Sequence, residues 1–542
     1  MNNDAAISLR SSHFCKGRCY MPDHIYKKAD LIRRLEAYCG KTFETIDNKG
    51  MFDHVQEFNL QKGIAGAVVE QCIFGYPPDS KQEADLIILD GPNSEKTELK
   101  TTGMLIETYP QKHYVAKEPM SITAVGVYDI ADQSFETSHF WEKIEHMLII
   151  YYHYKADHAV TAYEYKDFPL VGFEFHDFSP EDVDVLKQDW EYVRSLCAEV
   201  ISHHPGPRNS AWKTAVKDEY IDVHGQLRRV LSYIDLAPKF PPRFRLKKPT
   251  VSAMIAKHFG YSLEELPGRY SVISDIDRKC HELTQEYKGW SIGQLANYFG
   301  IPKTSPTGSE NKGISEQIIV AMFGGTSAKL NQIELFNRFG LIGKTVAMTS
   351  AGGRTEDMKL FRVDFDEIAR TEMTDDDGSV RPVMFEDSDL YSYFADHEFL
   401  CILFQEPEKE YERVNGRKVE KKHPLVNNRF IGFKRLVFSD EFIETTVQRL
   451  WSDTREKVIN RTLRDVVQRK KDGSIIVNKT GSISTALNLL KGADNDVFIK
   501  CSATDTSERY KTESVNGMKI LPQYVWIKGT SIIDELSRTP EL

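Results

Sequence analysis

Apolar positions along the chain switch between two periods. They recur every three to four residues in 27–39 and 62–74, which predicts amphipathic helices. Between them and the middle of the first half the period shortens to two. DLIIL (85–89) and TELKTT (97–102) are β-rich runs, and DGPNSEK between them holds the turn formers Asp-Gly and Pro-Asn, so a hairpin is expected. SITAVGVY (121–128) predicts another strand. Thr137-Ser138 reads as the cap of a helix running through the 140s into IIYYHY (149–154), and a helix over 181–200 carries Trp190. The pattern predicts an α/β fold, a small mixed sheet flanked by helices.

The pattern also repeats. VGFEFHDFSPEDV (171–183) returns as IGFKRLVFSDEFI (431–443), with Gly172-Phe173 and Phe178-Ser179 matched by Gly432-Phe433 and Phe438-Ser439, and each copy then runs into a helix with a tryptophan, Trp190 or Trp451. LIRRLEAYCGKTFETI (31–46) has a counterpart in ELTQEYKGWSIGQL (282–295), and KGIAGAVVEQCIFG (62–75) in KGISEQIIVAMFG (312–324). Three matched segments in one order imply two copies of one domain, roughly 25–250 and 270–542, dividing the chain into 1–265 and 266–542.

The chemistry concentrates in the first copy. Glu98 and Lys100 are two apart on a predicted strand, so both leave the same face while Leu99 turns to the core. Asp85 opens the partner strand and is placed to lie across from them; Asp90 is the rival acid, in a turn tetrapeptide. Two carboxylates at a strand end suit Mg²⁺, which keeps several waters and shares its shell with phosphate. A lysine beside that ion serves phosphodiester hydrolysis by holding the water or offsetting developing charge. Taken alone, Glu-Leu-Lys is most simply a solvated strand face. Glu70 is an acid inside an apolar run, where burial demands a partner. Lys143, on the helix after Thr137-Ser138, reads by itself as a surface lysine.

Bulk properties change this picture little. A length of 542 residues implies two or three domains. No run approaches the apolar length of a membrane span, the first residues lack a secretory layout, and a cytoplasmic protein is expected. The eight cysteines are scattered; Cys15 and Cys19 near His13 are half a zinc set at most, so reduced thiols are the expectation. A net charge of −10 argues weakly against a DNA partner, but basic clusters stand at 241–249, 415–423 and 468–471.

Together the motif residues resemble the MutH/Sau-type family of DNA endonucleases, within the PD-(D/E)xK nucleases. The family's helix motif reads here as Lys62, Gly63, Gly66, Glu70 and, one residue late, Gly75; an aspartate on the first hairpin strand, Glu-Leu-Lys-Thr at 98–101, and Glu-Thr-Ser-His at 136–139 followed by Lys143 complete it in order. FRLKKPTVSAMIAKHFG (244–260) is similar to the segment that closes the mismatch-repair enzyme. The resemblance implies two tandem restriction-endonuclease-like domains, with Asp85 and Glu98 binding Mg²⁺, Glu70 assisting from the helix, Lys100 positioning water and Lys143 supporting the site. It implies double-stranded DNA as substrate, cleavage at GATC, two chains of a solution monomer meeting on DNA, and a cognate methyltransferase. Asp85 lies thirteen residues before Glu98 where the family usually has seven, which a longer hairpin turn explains. Arg243, Arg245, Lys247 and Lys248 are the candidates for base or phosphate contacts. The family residue matching Arg245 is a tyrosine that contacts a base, so the sequence read and the methylation rule stay open. In the second copy the hairpin region NRFGLIGKTVAMTSAGG puts Lys344, Val346 and Met348 where acid and lysine should alternate, which implies a dead, DNA-binding effector copy. The alternatives are a strand-nicking repair enzyme and a non-catalytic binding scaffold.

Overall fold

The longest strand of the molecule organises the first half. In the computed structural model, which describes residues 24–54, 63–76, 85–107, 112–156, 160–237, 240–268, 270–305, 308–354, 356–374, 380–414, 417–421, 423–478, 480–503 and 505–542, this strand is β3 (Asn93–Glu107). With β1 (Ile25–Lys27), β2 (Leu86–Asp90), β4 (His113–Ala116), β6 (Met147–His153) and β7 (Leu170–His176) it forms a mixed sheet ordered β1-β2-β3-β6-β7, β4 pairing with the far end of β3. β2 and β3 are the expected hairpin, but its turn is only Gly91-Pro92, with Gly91 at φ +62°. The strand therefore begins at Asn93 rather than 97. A second antiparallel sheet joins β5 (Met120–Ala124), β9 (Arg243–Leu246) and β8 (Ile234–Leu236).

One element is corrected outright. The helix capped by Ser138 ends at Ile144, and IIYYHY belongs to β6, parallel to β3 and antiparallel to β7. Every β6 residue from Met147 to Tyr152 is buried, since the sheet is covered on both faces, and such a strand has no alternation to betray it. The 62–74 helix is an α-helix over Ile64–Val68 that widens into a π-helix at Val69–Phe74 and stops at Gly75, φ +87°.

The repeat is real in three dimensions. Strand Leu341–Met348 runs parallel to Glu398–Gln405, which is antiparallel to Arg429–Leu436, the same arrangement as β3, β6 and β7. Even the register slip recurs, between Tyr151 and Tyr152 in one copy and between Leu403 and Phe404 in the other. Upstream, helix Lys28–Glu36, Gly40 (φ +84°) and helix Phe43–Ile46 are matched by Ile273–Tyr287, Gly289 (φ +89°) and Ile292–Tyr298. The tryptophan helix of the second copy contains a π-turn at Ile443–Val447, which adds one residue between the matched caps Ser179 and Ser439 and the matched Trp190 and Trp451.

Three apolar cores result, and the middle one is shared. Leu148, Ile150 and Tyr152 face a core built with the first helices, while Met147, Ile149 and Tyr151 face the middle core. Leu400, Ile402 and Phe404 of the second copy enter that same middle core, and Phe399, Cys401 and Leu403 face the last one. The packing is thus continuous across residue 265. No described helix is long and apolar enough to cross a membrane. The described cysteines, Cys39, Cys72, Cys197, Cys280, Cys401 and Cys501, are free thiols; His13, Cys15, Cys19 and Lys62 lie outside the described residues.

Candidate active site

The β2–β3 register carries the site. Leu86 pairs with Thr97, so Asp85 falls beside Glu98 one step further on. The backbone N–H of Leu99 donates to Asp85 Oδ2 at 2.9 Å, fixing the aspartate against the strand. His24 holds Asp85 from the other side: its ring Nδ1 lies 2.7 Å from the Asp85 carbonyl oxygen. Asp90, the rival acid, sits exposed at the hairpin tip and pairs with Lys28 at 3.0 Å, five residues along the strand from Asp85.

Glu98 is the hub. It is 4% exposed, and its two oxygens accept from Lys100 Nζ at 2.9 Å and Lys143 Nζ at 2.7 Å. Lys143 reaches it because Ser138 Oγ accepts from Trp141 N and starts the short helix His139–Ile144 over β3. At 8% exposure Lys143 is far from a surface lysine. Burial, and then the negative charge of Glu98, raise the Asp85 carboxyl to about 6, against the Leu99 N–H, Lys143 and Lys100, which pull it down. Glu70 lies half-buried at the start of the π-helical segment, and its preceding α-helical turn packs on β3.

This donor set suits one hard cation. Among the described residues no three His, Cys, Asp or Glu side chains come together as a ready cage. Asp85 and Glu98 alone would leave most of a divalent cation's shell to water and substrate oxygens. A cation at this point would relieve the repulsion between Asp85 and Glu98, and it would compete with the lysines for the oxygens of Glu98.

Residues 74–189, which contain Asp85, Glu98, Lys100 and Lys143, match the family described as DNA mismatch repair enzyme MutH. A relative, the type II restriction enzyme Sau3AI of Staphylococcus aureus, is 23% identical over 406 residues, covering 71% of this chain and 75% of its own length. At 71% of the chain, the second match is longer than either copy and so reaches into both. Both matches support a likeness to the MutH/Sau-type DNA endonucleases. The mixed α/β sheet seen here accords with the restriction-endonuclease-like fold of those proteins.

The DNA-reading candidates fare unevenly. Arg243 and Arg245 leave the outer face of β9; Arg243 Nε donates to Ser121 Oγ at 3.1 Å, and Arg245 forms a two-pronged bridge to Asp235 at 2.8 and 3.0 Å. Lys247 points inward instead. It is 5% exposed, donates to the Leu231 carbonyl at 2.6 Å and lies 3.6 Å from Glu398 of the second copy, whose other oxygen pairs with Arg435. Lys248 begins helix Lys248–His258, and burial holds its ammonium below the ordinary lysine range. A basic run read as surface is, at Lys247, part of the seam between copies.

Two contributors escaped the sequence reading. His24 carried no signal, since its role depends on a contact 61 residues away. Asp235 could have been suspected only by knowing that β8 lies beside β9.

Proposed function

We propose that the chain is a type II restriction endonuclease that makes Mg²⁺-dependent double-strand cuts at a short site, GATC, leaving 5′-phosphate ends. The observation that carries this reading is the Asp85–Glu98–Lys100–Lys143 cluster, gathered from β2, β3 and a capped helix around one buried glutamate. Residues 1–265 form the catalytic part, and 266–542 a DNA-binding, allosteric part without catalytic residues. The register supports that division. Aligning the bulges sets Glu98 against Ile342 and Lys100 against Lys344, while the matched FETS and FEDS caps set Lys143 against Tyr393 and the helix match sets Glu70 against Val320. The alternation over Lys344, Val346 and Met348 is thus displaced by two residues: the lysine persists and both acids are gone.

When bound, Mg²⁺ supplies Lewis acidity at the phosphate and a more acidic water. Asp85 and Glu98 would hold it, with Glu70 assisting from the helix. Lys100, released from Glu98 or shared with it, orients the attacking water and offsets charge developing on the phosphorane-like centre. Lys143 keeps the Glu98 carboxylate aimed. Arg243 and Arg245 on the outer face of β9 are the candidates for contact with a guanine edge, Arg245 only on leaving its bridge to Asp235. One such site per chain implies that two chains meet on the duplex, in a cytoplasmic restriction–modification setting with its own methyltransferase.

Incubation with unmethylated plasmid in Mg²⁺, with an EDTA control and sequencing of the product ends, tests the reading. Linear fragments ending at GATC uphold it. Nicked circles would favour a strand-nicking repair role, and uncut DNA with retained binding would leave a binding protein.

A further inference from the structure

The second copy rebuilds the β5-β9-β8 sheet with different side chains. Strand Gln523–Ile527 lies between Met358–Arg362 and Val497–Cys501, and Ile527 pairs with both Met358 and Val497 as Leu246 pairs with Met120 and Ile234. That register sets Trp526 where the first copy has Arg245, Tyr524 where it has Arg243, and Phe498 where it has Asp235. Burial alternates identically in the two strands, so Tyr524 and Trp526 occupy the outer face that Arg243 and Arg245 hold in β9.

Each ring carries a lysine. Lys359 Nζ lies 3.3 Å from the centroid of Tyr524, and Lys500 Nζ 4.3 Å from that of Trp526. Lys500 also pairs with Asp357 at 2.8 Å. Lys344, at the register position of Lys100, donates to the Lys359 carbonyl at 3.2 Å and so joins the same cluster. Ring faces fix ammonium groups as point charges. Point charges neutralise phosphate; a guanine edge calls for the planar fork that this strand lacks.

We propose that this face of the second copy binds duplex DNA through its backbone alone, without reading its sequence and without a divalent cation. This rests on the reading of the second copy as a DNA-binding half, and it specifies what that half recognises. With Ile342, Val320 and Tyr393 in place of the acids and the helix lysine, nothing at this register calls for a metal. Lys344 remains, beside Lys359, where the scissile phosphate lies in the proposed first site, and burial holds its ammonium below the ordinary lysine range. The consequence is a division of labour: the first copy chooses the sequence, and the second grips any duplex within reach.

The test measures binding of the full chain in EDTA, by fluorescence anisotropy over a range of salt, to two duplexes of equal length with and without GATC. The Lys344→Gln/Lys359→Gln/Lys500→Gln variant is expected to bind the GATC-free duplex about tenfold more weakly. Its slope of log affinity on log salt should fall by about 2 to 3, roughly 0.9 for each phosphate left without its neutralising lysine. The preference for the GATC duplex should be unchanged. Lys359→Gln alone, at an exposed side chain, should lower the slope by about 1 with an unaltered melting temperature, which separates charge loss from misfolding. Unchanged affinity and slope in both variants would overturn the proposal, as would a triple variant that loses only its preference for GATC. Plasmid cleavage by the unmodified protein in Mg²⁺ reports separately on the endonuclease reading, so failure of one is not failure of the other.

Discussion

The two halves of this chain share one scaffold and have diverged at the positions that carry chemistry. In the first copy Glu98 is buried, bound by two lysines and set against Asp85; in the second the matched strand position is the apolar Ile342. Backbone features persist through the divergence, including the bulge after Tyr151 and Leu403 and the left-handed glycines that end the first helices. The difference teaches that the fold does not depend on the acidic cluster. A buried charged cluster is costly to maintain and is kept where it works.

The largest expected effect comes from breaking the first copy toward the second. Lys100→Ala should lower cleavage by about 10³-fold or more while leaving specific DNA binding within a few-fold, since its part is played on the reacting phosphate. Glu98→Gln should do the same in a plasmid assay and should also cost about 3 kcal/mol of stability, because two lysines lose their counter-charge in a buried place. Full cleavage by either variant would remove Glu98 and Lys100 from the mechanism.

The converse graft sharpens the comparison. In a Lys100→Ala background, Ile342→Glu with Tyr393→Lys restores the glutamate and helix lysine around Lys344. It should still leave plasmid uncut, because the matched strand Leu341–Met348 pairs with Glu398–Gln405 and, among the described residues, has no hairpin partner to supply an aspartate. Recovered cleavage would show that the aspartate is dispensable and that the second copy is one step from activity.

Arg245→Ala should have a smaller effect, about 1–3 kcal/mol of lost discrimination between GATC and altered sites, read as a ratio of affinities. The Trp526→Ala change at the matching position should leave that ratio alone. Equal losses of discrimination from both would mean that the two copies read DNA alike.

Much of this contrast is legible in the sequence, and the illegible parts share a cause. The hairpin, the capped helices and the repeat are written in local period and turn residues, and Asp85 follows from counting across one turn. Strand Met147–His153 reads as helix because a strand buried on both faces shows a continuous apolar run that a helix shows equally well. Lys143 and Lys247 look alike as sequence, each a basic residue near apolar neighbours. Only contacts from 45 residues away, in Glu98, and from the second copy, in Glu398, make one part of the proposed catalytic cluster and the other part of a seam.

A last contrast, in stability rather than in DNA recognition, concerns how each copy ties its long helix to its smaller sheet. In the first copy Asp189, wholly buried on helix Pro180–His203, accepts from the backbone N–H groups of Ser232, Tyr233 and Ile234. The π-turn places Leu450 at the matching position, and the link is made from the sheet side, by Asn495 Nδ2 donating to the carbonyls of Thr446 and Val497 at 2.9 and 2.7 Å. Asp189→Ala leaves up to three buried donors without their acceptor and should cost about 3 kcal/mol; Asn495→Ala leaves two carbonyls, each with a second lone pair, and should cost about 1 kcal/mol. The two differ in pH response as well. Burial raises the Asp189 carboxyl to about 6 despite its three N–H donors, so the native state binds the extra proton between about 4 and 6. Its contribution is therefore full below about pH 4 and declines as pH rises to about 6. Chemical denaturation of the unmodified protein and of Asp189→Asn across that window should show their difference in stability changing with pH, whereas Asn495→Ala should run parallel to the unmodified protein throughout; parallel curves for all three would mean that Asp189 titrates as it does in the unfolded chain.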